Sequence, residues 1–318
     1  MIENLRKFKT ELEAGYKTKI KIPPGYKNVK NMVIAGMGAS IIPGEVLKDA
    51  ASFKIPLEIS KNYNLPYFAG ANTLLICVSR SGNVKETISQ LEQGIKNKCK
   101  IIVISLGGEI SKKAEKLKIP LIKIPEEFSK RETREMFSYL FGLLFSLVKK
   151  LSLTKESLFF DILEKEKNNI EKDAENLALE IKEIFPIICS EYRSLSFRWE
   201  SDLSESGKKL SKGTVFPDLA HNELESWQNL NNNYCLIFLR NQKEKKEIKI
   251  LIEAIKKIIK KEVKIIEIYG KGNNRLEEIL YFVWLSGLAG YLIGKQKGIN
   301  PKETRYIKMM KDELKKIS

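Results

Sequence analysis

The chain has 318 residues, 43% of them apolar and 30% charged, a composition that builds packed cores and excludes an intrinsically disordered chain. Its length exceeds one small core and corresponds to about two domains of ordinary size. The formal net charge is +16, but the lysines run along nearly every amphipathic stretch beside glutamates, as in Gln242 to Lys261, and no zinc-finger spacing or aromatic RNA-recognition signature accompanies them, so they read as solvated helix faces rather than a nucleic-acid surface, with a field that favours a small anionic substrate.

Met1 to Lys7 meets charge before an apolar segment of signal-peptide length develops, which predicts a cytoplasmic protein. The apolar run Asn31 to Ala35 then ends in Gly36-Met37-Gly38-Ala39-Ser40 and passes into a helical stretch from Ile41 to Ala51, the pattern of strand, glycine turn and helix. It recurs as the strand Thr73 to Val78, the loop Ser79-Arg80-Ser81-Gly82-Asn83 and the amphipathic stretch Val84 to Lys96. The strand Lys100 to Ser105 closes on Leu106-Gly107-Gly108, followed by a helix from Ile110 to Leu117 and a strand from Ile119 to Ile124. Continuous apolar strands alternating with helices predict an α/β fold with a doubly wound parallel sheet.

Helical spacing from Arg131 to Leu151 and a charged helix from Ser157 to Ile184 lead into a second round of alternation. Its strands are Phe185 to Ser190, Tyr234 to Leu239 and Val263 to Tyr269; its helices run from Leu195 to Ser211 and from Lys243 to Lys260. A helix from Asn274 to Gly294 and a tail from Pro301 to Ile317 complete the chain. The domains are therefore expected at 1–152 and 153–318. The uncharged run Ile279 to Gly294 has sixteen residues, short of the roughly twenty that cross a bilayer, and reads as a buried helix, with no membrane partner expected. Cys77, Cys99, Cys189 and Cys235 show no metal-ligand spacing and read as buried reduced thiols, with no metal site expected.

The loop Ser79 to Asn83 lies where a parallel strand hands over to a helix, so its hydroxyls and free N–H groups either cap the helix or gather on an anion. Gly36-Met37-Gly38 occupies the same kind of position after the first strand, but Ile41 stands where a dinucleotide loop requires its third glycine, and no phosphate-loop lysine motif is present. Two serine-bearing loops at the carboxyl ends of strands suit a single phosphate on a small molecule, with no cofactor. The only histidine, His221, lies sixteen residues after Glu205. An imidazole and a carboxylate are the usual pair for moving a carbon-bound proton, and a surface or capping histidine is the alternative.

Taken with Arg198-Trp199-Glu200-Ser201-Asp202-Leu203-Ser204-Glu205, these loops resemble sugar-isomerase (SIS) domains, specifically the archaeal and bacterial bifunctional phosphoglucose/phosphomannose isomerase family. The resemblance spans nearly the whole chain. It is carried by the Ser-x-Ser-Gly-Asn loop with Glu86-Thr87, by the Arg-Trp run leading to Glu205 and Lys208, and by Pro217 to Trp227 around His221-Asn222-Glu223. It implies two doubly wound, flavodoxin-like SIS domains and an aldose–ketose isomerase interconverting glucose 6-phosphate and mannose 6-phosphate with fructose 6-phosphate through a cis-enediolate, without a metal.

The resemblance further implies Glu205 as the base and His221 as the acid that opens the sugar ring, supplied by the partner subunit of a homodimer. Arg134, in Arg134-Glu135-Met136-Phe137-Ser138-Tyr139, matches the residue that stabilises the developing enediolate. Gly38, Ser40, Ser79 and Ser81 match the phosphate site. After Gly298-Ile299-Asn300-Pro301, Thr304 matches a sugar-pocket threonine and Lys311 a lysine at the ring, with Lys308 one turn away. The pattern departs at Ala39 for glycine, Val84 for a phosphate-binding threonine and Thr133 for proline; Arg80 either adds a phosphate donor or faces solvent. The rival readings are a regulatory phosphosugar-binding SIS protein that does no chemistry, and the isomerase half of a glucosamine 6-phosphate synthase, disfavoured because no cysteine glutaminase segment precedes the first strand.

Overall fold

The computed structural model describes residues 1–259, 261 and 263–317; Lys260 and Ser318, the expected ends of one helix and of the second domain, lie outside them. The chain forms two compact units, Lys7–Phe160 and Met1–Arg6 with Asp161–Ser318. The short helix α1 (Ile2–Arg6) clusters with the second because Trp284 Nε1 donates to Leu5 O at 2.9 Å and Arg6 pairs with Glu171 at 3.0 Å. Residues 153–160 cluster with the first unit: Thr154 Oγ1 donates to Ser52 O at 2.7 Å and Phe160 meets the Tyr16 ring edge-on.

In the first unit, α2 (Phe8–Lys17) precedes β1 (Asn31–Gly36), α3 (Ile42–Ala50), β2 (Leu57–Ser60), β3 (Thr73–Val78), α4 (Lys85–Lys96), β4 (Lys100–Ser105), α5 (Gly108–Lys116), β5 (Leu121–Lys123) and α6 (Phe137–Lys150). The sheet is parallel in the order β2-β1-β3-β4-β5, the doubly wound order with its switch point between β1 and β3. Strand residues Val33, Ala35, Leu75, Cys77 and Val103 form one buried face against Ile88 and Leu91 of α4 and Ile110 and Ala114 of α5. The edge strand β2, four residues of LEIS, has no apolar run to announce it.

In the second unit, α7 (Asp161–Lys165) and α8 (Lys167–Ile181) lead to β6 (Phe185–Ser190), α9 (Arg193–Glu205), β7 (Lys212–Val215), β8 (Tyr234–Arg240), α10 (Lys246–Ile258), β9 (Lys264–Tyr269), α11 (Arg275–Gln296) and α12 (Arg305–Ile317). The sheet order is β7-β6-β8-β9, again parallel, with its switch point between β6 and β8. Three sequence expectations change. The helix expected to Ser211 ends at Glu205, because Lys208 turns at φ 47° and the chain then forms the edge strand β7. The single helix expected over 157–184 is two, α7 and α8, and 133–136 is a tight 3₁₀ turn ahead of α6. Helix α11 is long and apolar enough to cross a bilayer, but 89% of its apolar window is buried inside the protein, the burial expected of a core helix.

Helices α2 and α6 meet main chain against main chain at Gly15 and Gly142. A Cβ on Gly15 would lie 2.1 Å from Tyr139 O, and one on Gly142 would lie 2.1 Å from Leu12 O. Gly142→Ala would gain about 1 kcal/mol of helix propensity, but overpacking costs about 1–3 kcal/mol and a main-chain oxygen cannot rotate away. The expected outcome is net destabilisation, read as a lower Tm in calorimetry; an unchanged or raised Tm would contradict the close crossing.

Candidate functional site

Gly36 and Val78 end neighbouring strands in register, so the loops after β1 and β3 begin side by side. Gly38, at φ 54°, opens a 3₁₀ turn that delivers Ser40, 7% exposed, to the serine loop, where Ser40 Oγ accepts from Arg80 N at 3.4 Å. Ser79, 1% exposed, accepts from Gly82 N at 3.2 Å, and the exposed Ser81 accepts from Asn83 N at 3.3 Å. Gly82 (φ 71°) and Gly108 (φ 74°) press together: a Cβ on Gly82 would lie 1.8 Å from Gly107 O, and one on Gly108 would lie 2.3 Å from Ser81 O. Leu106 N donates to Arg80 O at 3.1 Å, Ile110 N to Gly82 O at 2.9 Å and Glu109 N to Asn83 Oδ1 at 3.0 Å.

These contacts separate the two readings of the loop. Asn83 serves the first turn of α5, not α4, and Val84 gives α4 no side-chain cap. The first N–H groups of α4 therefore remain available to an anion. Arg80 does not face solvent: its Nη2 donates to Ser129 O at 2.5 Å.

The turn Thr133–Met136 packs against Gly38–Ser40. It carries Arg134, 5% exposed and 4.0 Å from Glu132 Oε2. Thr133 begins that turn without a proline because Glu132 and Glu135 close a capping box around it. Glu11 of α2, a residue no sequence pattern singled out, braces the segment on both sides. Its buried carboxylate pairs with Arg131 and accepts from Ser138 Oγ at 3.0 Å, and burial pushes its pKa up against the lowering effect of Arg131. The first unit thus gathers Gly38, Ser40, Ser79, Ser81 and Arg134 at the carboxyl end of its sheet.

In the second unit, Glu205 is the last residue of α9. The Arg-Trp run that leads to it is scaffold: Trp199 is fully buried, Arg198 pairs with Asp202 at 2.7 Å, and Ser286 Oγ donates to Asp202 at 2.7 Å. Glycines of α11 let the end of α9 sit against it, since a Cβ on Gly290 would lie 2.5 Å from Asp202 O and one on Gly294 would lie 2.3 Å from Ser206 O. Lys208 Nζ donates to Glu205 O and, at 2.5 Å, to Glu303 O, which brings the half-buried Thr304 to the same helix end.

His221 is exposed, carried on a 3₁₀ turn pinned by buried Phe216, Leu219, Trp227 and Leu230. Lys311 lies on α12, which buries none of its residues, as does Lys308. Among the described residues no hydrogen bond or ion pair engages the side chain of His221 or Lys311.

Residues 170–314 match the bacterial phospho-glucose isomerase C-terminal SIS domain. The chain is 29% identical to a bifunctional phosphoglucose/phosphomannose isomerase of Aquifex aeolicus, over 90% of this chain and 91% of that one. It is 28% identical to the protein of that name in Thermoplasma acidophilum, over 89% of each. A glucosamine-6-phosphate deaminase of Thermotoga maritima shares the fold with a TM-score of 0.70 at 13% identity, covering 95% of this chain and 96% of that one.

The serine loop is expected to be intolerant of a single methyl group. Gly82→Ala places a side chain at positive φ and against a main-chain oxygen, at a cost of about 1–3 kcal/mol. Hydrogen exchange should show Ile110 N–H, bonded to Gly82 O, losing protection ahead of β1; unchanged protection would contradict the clasp.

Proposed function

We propose, from the premise that the chain belongs to the bifunctional phosphoglucose/phosphomannose isomerase family, that it is an aldose–ketose isomerase interconverting glucose 6-phosphate and mannose 6-phosphate with fructose 6-phosphate. It works in the cytoplasm as a homodimer. Ser40, Ser79, Ser81, the main chain at Gly38 and the uncapped start of α4 hold the phosphate, and sequence-neutral contacts of this kind bind substrate without choosing between C2 epimers.

The Glu205 carboxylate takes the proton from C2 of the opened aldose and returns it to C1 through a cis-enediolate. Arg134 carries the positive charge that steadies the enediolate oxygen. His221 opens the ring by protonating its oxygen, and it comes from the partner subunit; Thr304 lines the sugar, and Lys311 approaches the ring. The observation that carries this reading is the rigid mounting of the helix end that bears Glu205: a buried ion pair, two glycine contacts and the Lys208 bridge hold it in place. The exposure of His221 on a firmly anchored turn supports a task outside its own protomer. A phosphosugar sensor would need neither group.

Two measurements test it. Glu205→Gln should lower kcat by about 10²–10⁴-fold while sugar-phosphate affinity stays within a small factor, as loss of a positioned base requires; equal turnover would remove Glu205 from the reaction. Mixing inactive Glu205→Gln and His221→Ala protomers should restore about a quarter of native activity, since half the dimers are mixed and each has one complete site. No recovery, with mixed dimers demonstrated, would place His221 in its own protomer's site.

A further inference from the structure

The switch point of the second sheet has no part in the reading above. It opens into a pocket of about 440 Å³ lined by the loops that follow β6, β8 and β9 and by the start of α11, within the size range of small-molecule sites. Glu205 lies at the opposite end of α9 from Tyr192, roughly 20 Å away at a rise of about 1.5 Å per residue, so the two places are distinct. Open α/β sheets bind ligands at this position, where the strand order reverses outside the carboxyl ends.

The lining divides by charge. Lys243, Lys245 and Arg275 are exposed and form no ion pair among the described residues. Glu191, Tyr192, Asn241 and Glu278 form the less accessible part. Asn241, 7% exposed, donates to Glu191 Oε2 at 2.9 Å and Tyr192 Oη at 3.2 Å, while its own Oδ1 is buried without a partner. Glu278, 5% exposed, accepts from Gln242 N at 3.2 Å, and burial pushes its pKa up. Gly270 and Gly272 keep the third loop tight against α11, where a Cβ would lie 2.7 Å from Glu278 Cβ or 2.6 Å from Glu277 Cβ. An orphaned buried acceptor and cations that form no ion pair around a polar pocket are the features a ligand satisfies.

We propose that this pocket is a second binding site, for a small phosphorylated polyhydroxy compound: the phosphate meets Lys243, Lys245 and Arg275, and the hydroxyls donate to Glu191, Glu278 and Asn241. A bare anion is disfavoured, because the two carboxylates need donors facing them. The proposal does not depend on the isomerase reading.

The test is equilibrium dialysis of the full chain against radiolabelled sorbitol 6-phosphate, a hexitol phosphate that cannot isomerise. Lys243→Ala with Arg275→Ala, both exposed positions, should remove one bound equivalent per chain, or weaken it by about 10²-fold for two charge-assisted contacts, with isomerase turnover unchanged. Ser79→Ala with Ser81→Ala should leave that equivalent in place. The site is overturned if the Lys243 and Arg275 substitutions remove no equivalent. Failure of the phosphate site proposed in the first unit would show separately, in the serine variant alone.

Discussion

The serine loop after β3 can seat itself on the loop after β4 only if no side chain stands between their main chains, and Gly82 against Gly107 is where this protein meets that condition. That contact turns the serine loop at positive φ, aligns Arg80 with Leu106, sends Asn83 to the neighbouring helix and leaves the start of α4 uncapped. The second unit uses the same device for a different end. Gly290 and Gly294 bring the main chain of α9 onto α11, and the helix end that results carries Glu205. Close main-chain contact is stiff because no rotamer can absorb a displacement, and stiffness is what a reacting group needs to hold its geometry.

The longer strands of both sheets were readable as apolar runs: β1, β3, β4, β6 and β8 are buried almost throughout, and the edge strand β9 keeps three isoleucines although it is only half-buried. β2 and β7 were not readable: each is a four-residue edge strand, LEIS and KGTV, whose pairing is decided by the neighbour rather than by its own composition. The helix end at Glu205 was hidden for a related reason, since Lys208 adopts a left-handed conformation that its side chain does not advertise. Gly107-Gly108 stood in plain view after β4, but its use as the seat for Gly82 is a contact between two loops and has no signature within either.

The candidate residues show the same division. Ser40, Ser79 and Ser81 were legible as strand-end serines, and the structure gathers them with the Arg134 turn. Glu11 was not, because a glutamate in a lysine-rich amphipathic helix looks solvated until α2 is seen packed beside Arg131 and Ser138. Likewise, Arg198 and Trp199 stood in a motif beside Glu205, but they work by burial and by the Asp202 pair, so the motif marks a mounting as much as a reaction centre.

The central claim is that one site isomerises both C2 epimers. It is tested most directly by initial rates of fructose 6-phosphate formation from saturating glucose 6-phosphate, from saturating mannose 6-phosphate, and from the two together. A single isomerase site predicts turnover of each aldose and a mixed rate lying between the two separate rates, because the substrates compete. A mixed rate equal to their sum, or binding of either aldose without turnover, would contradict it.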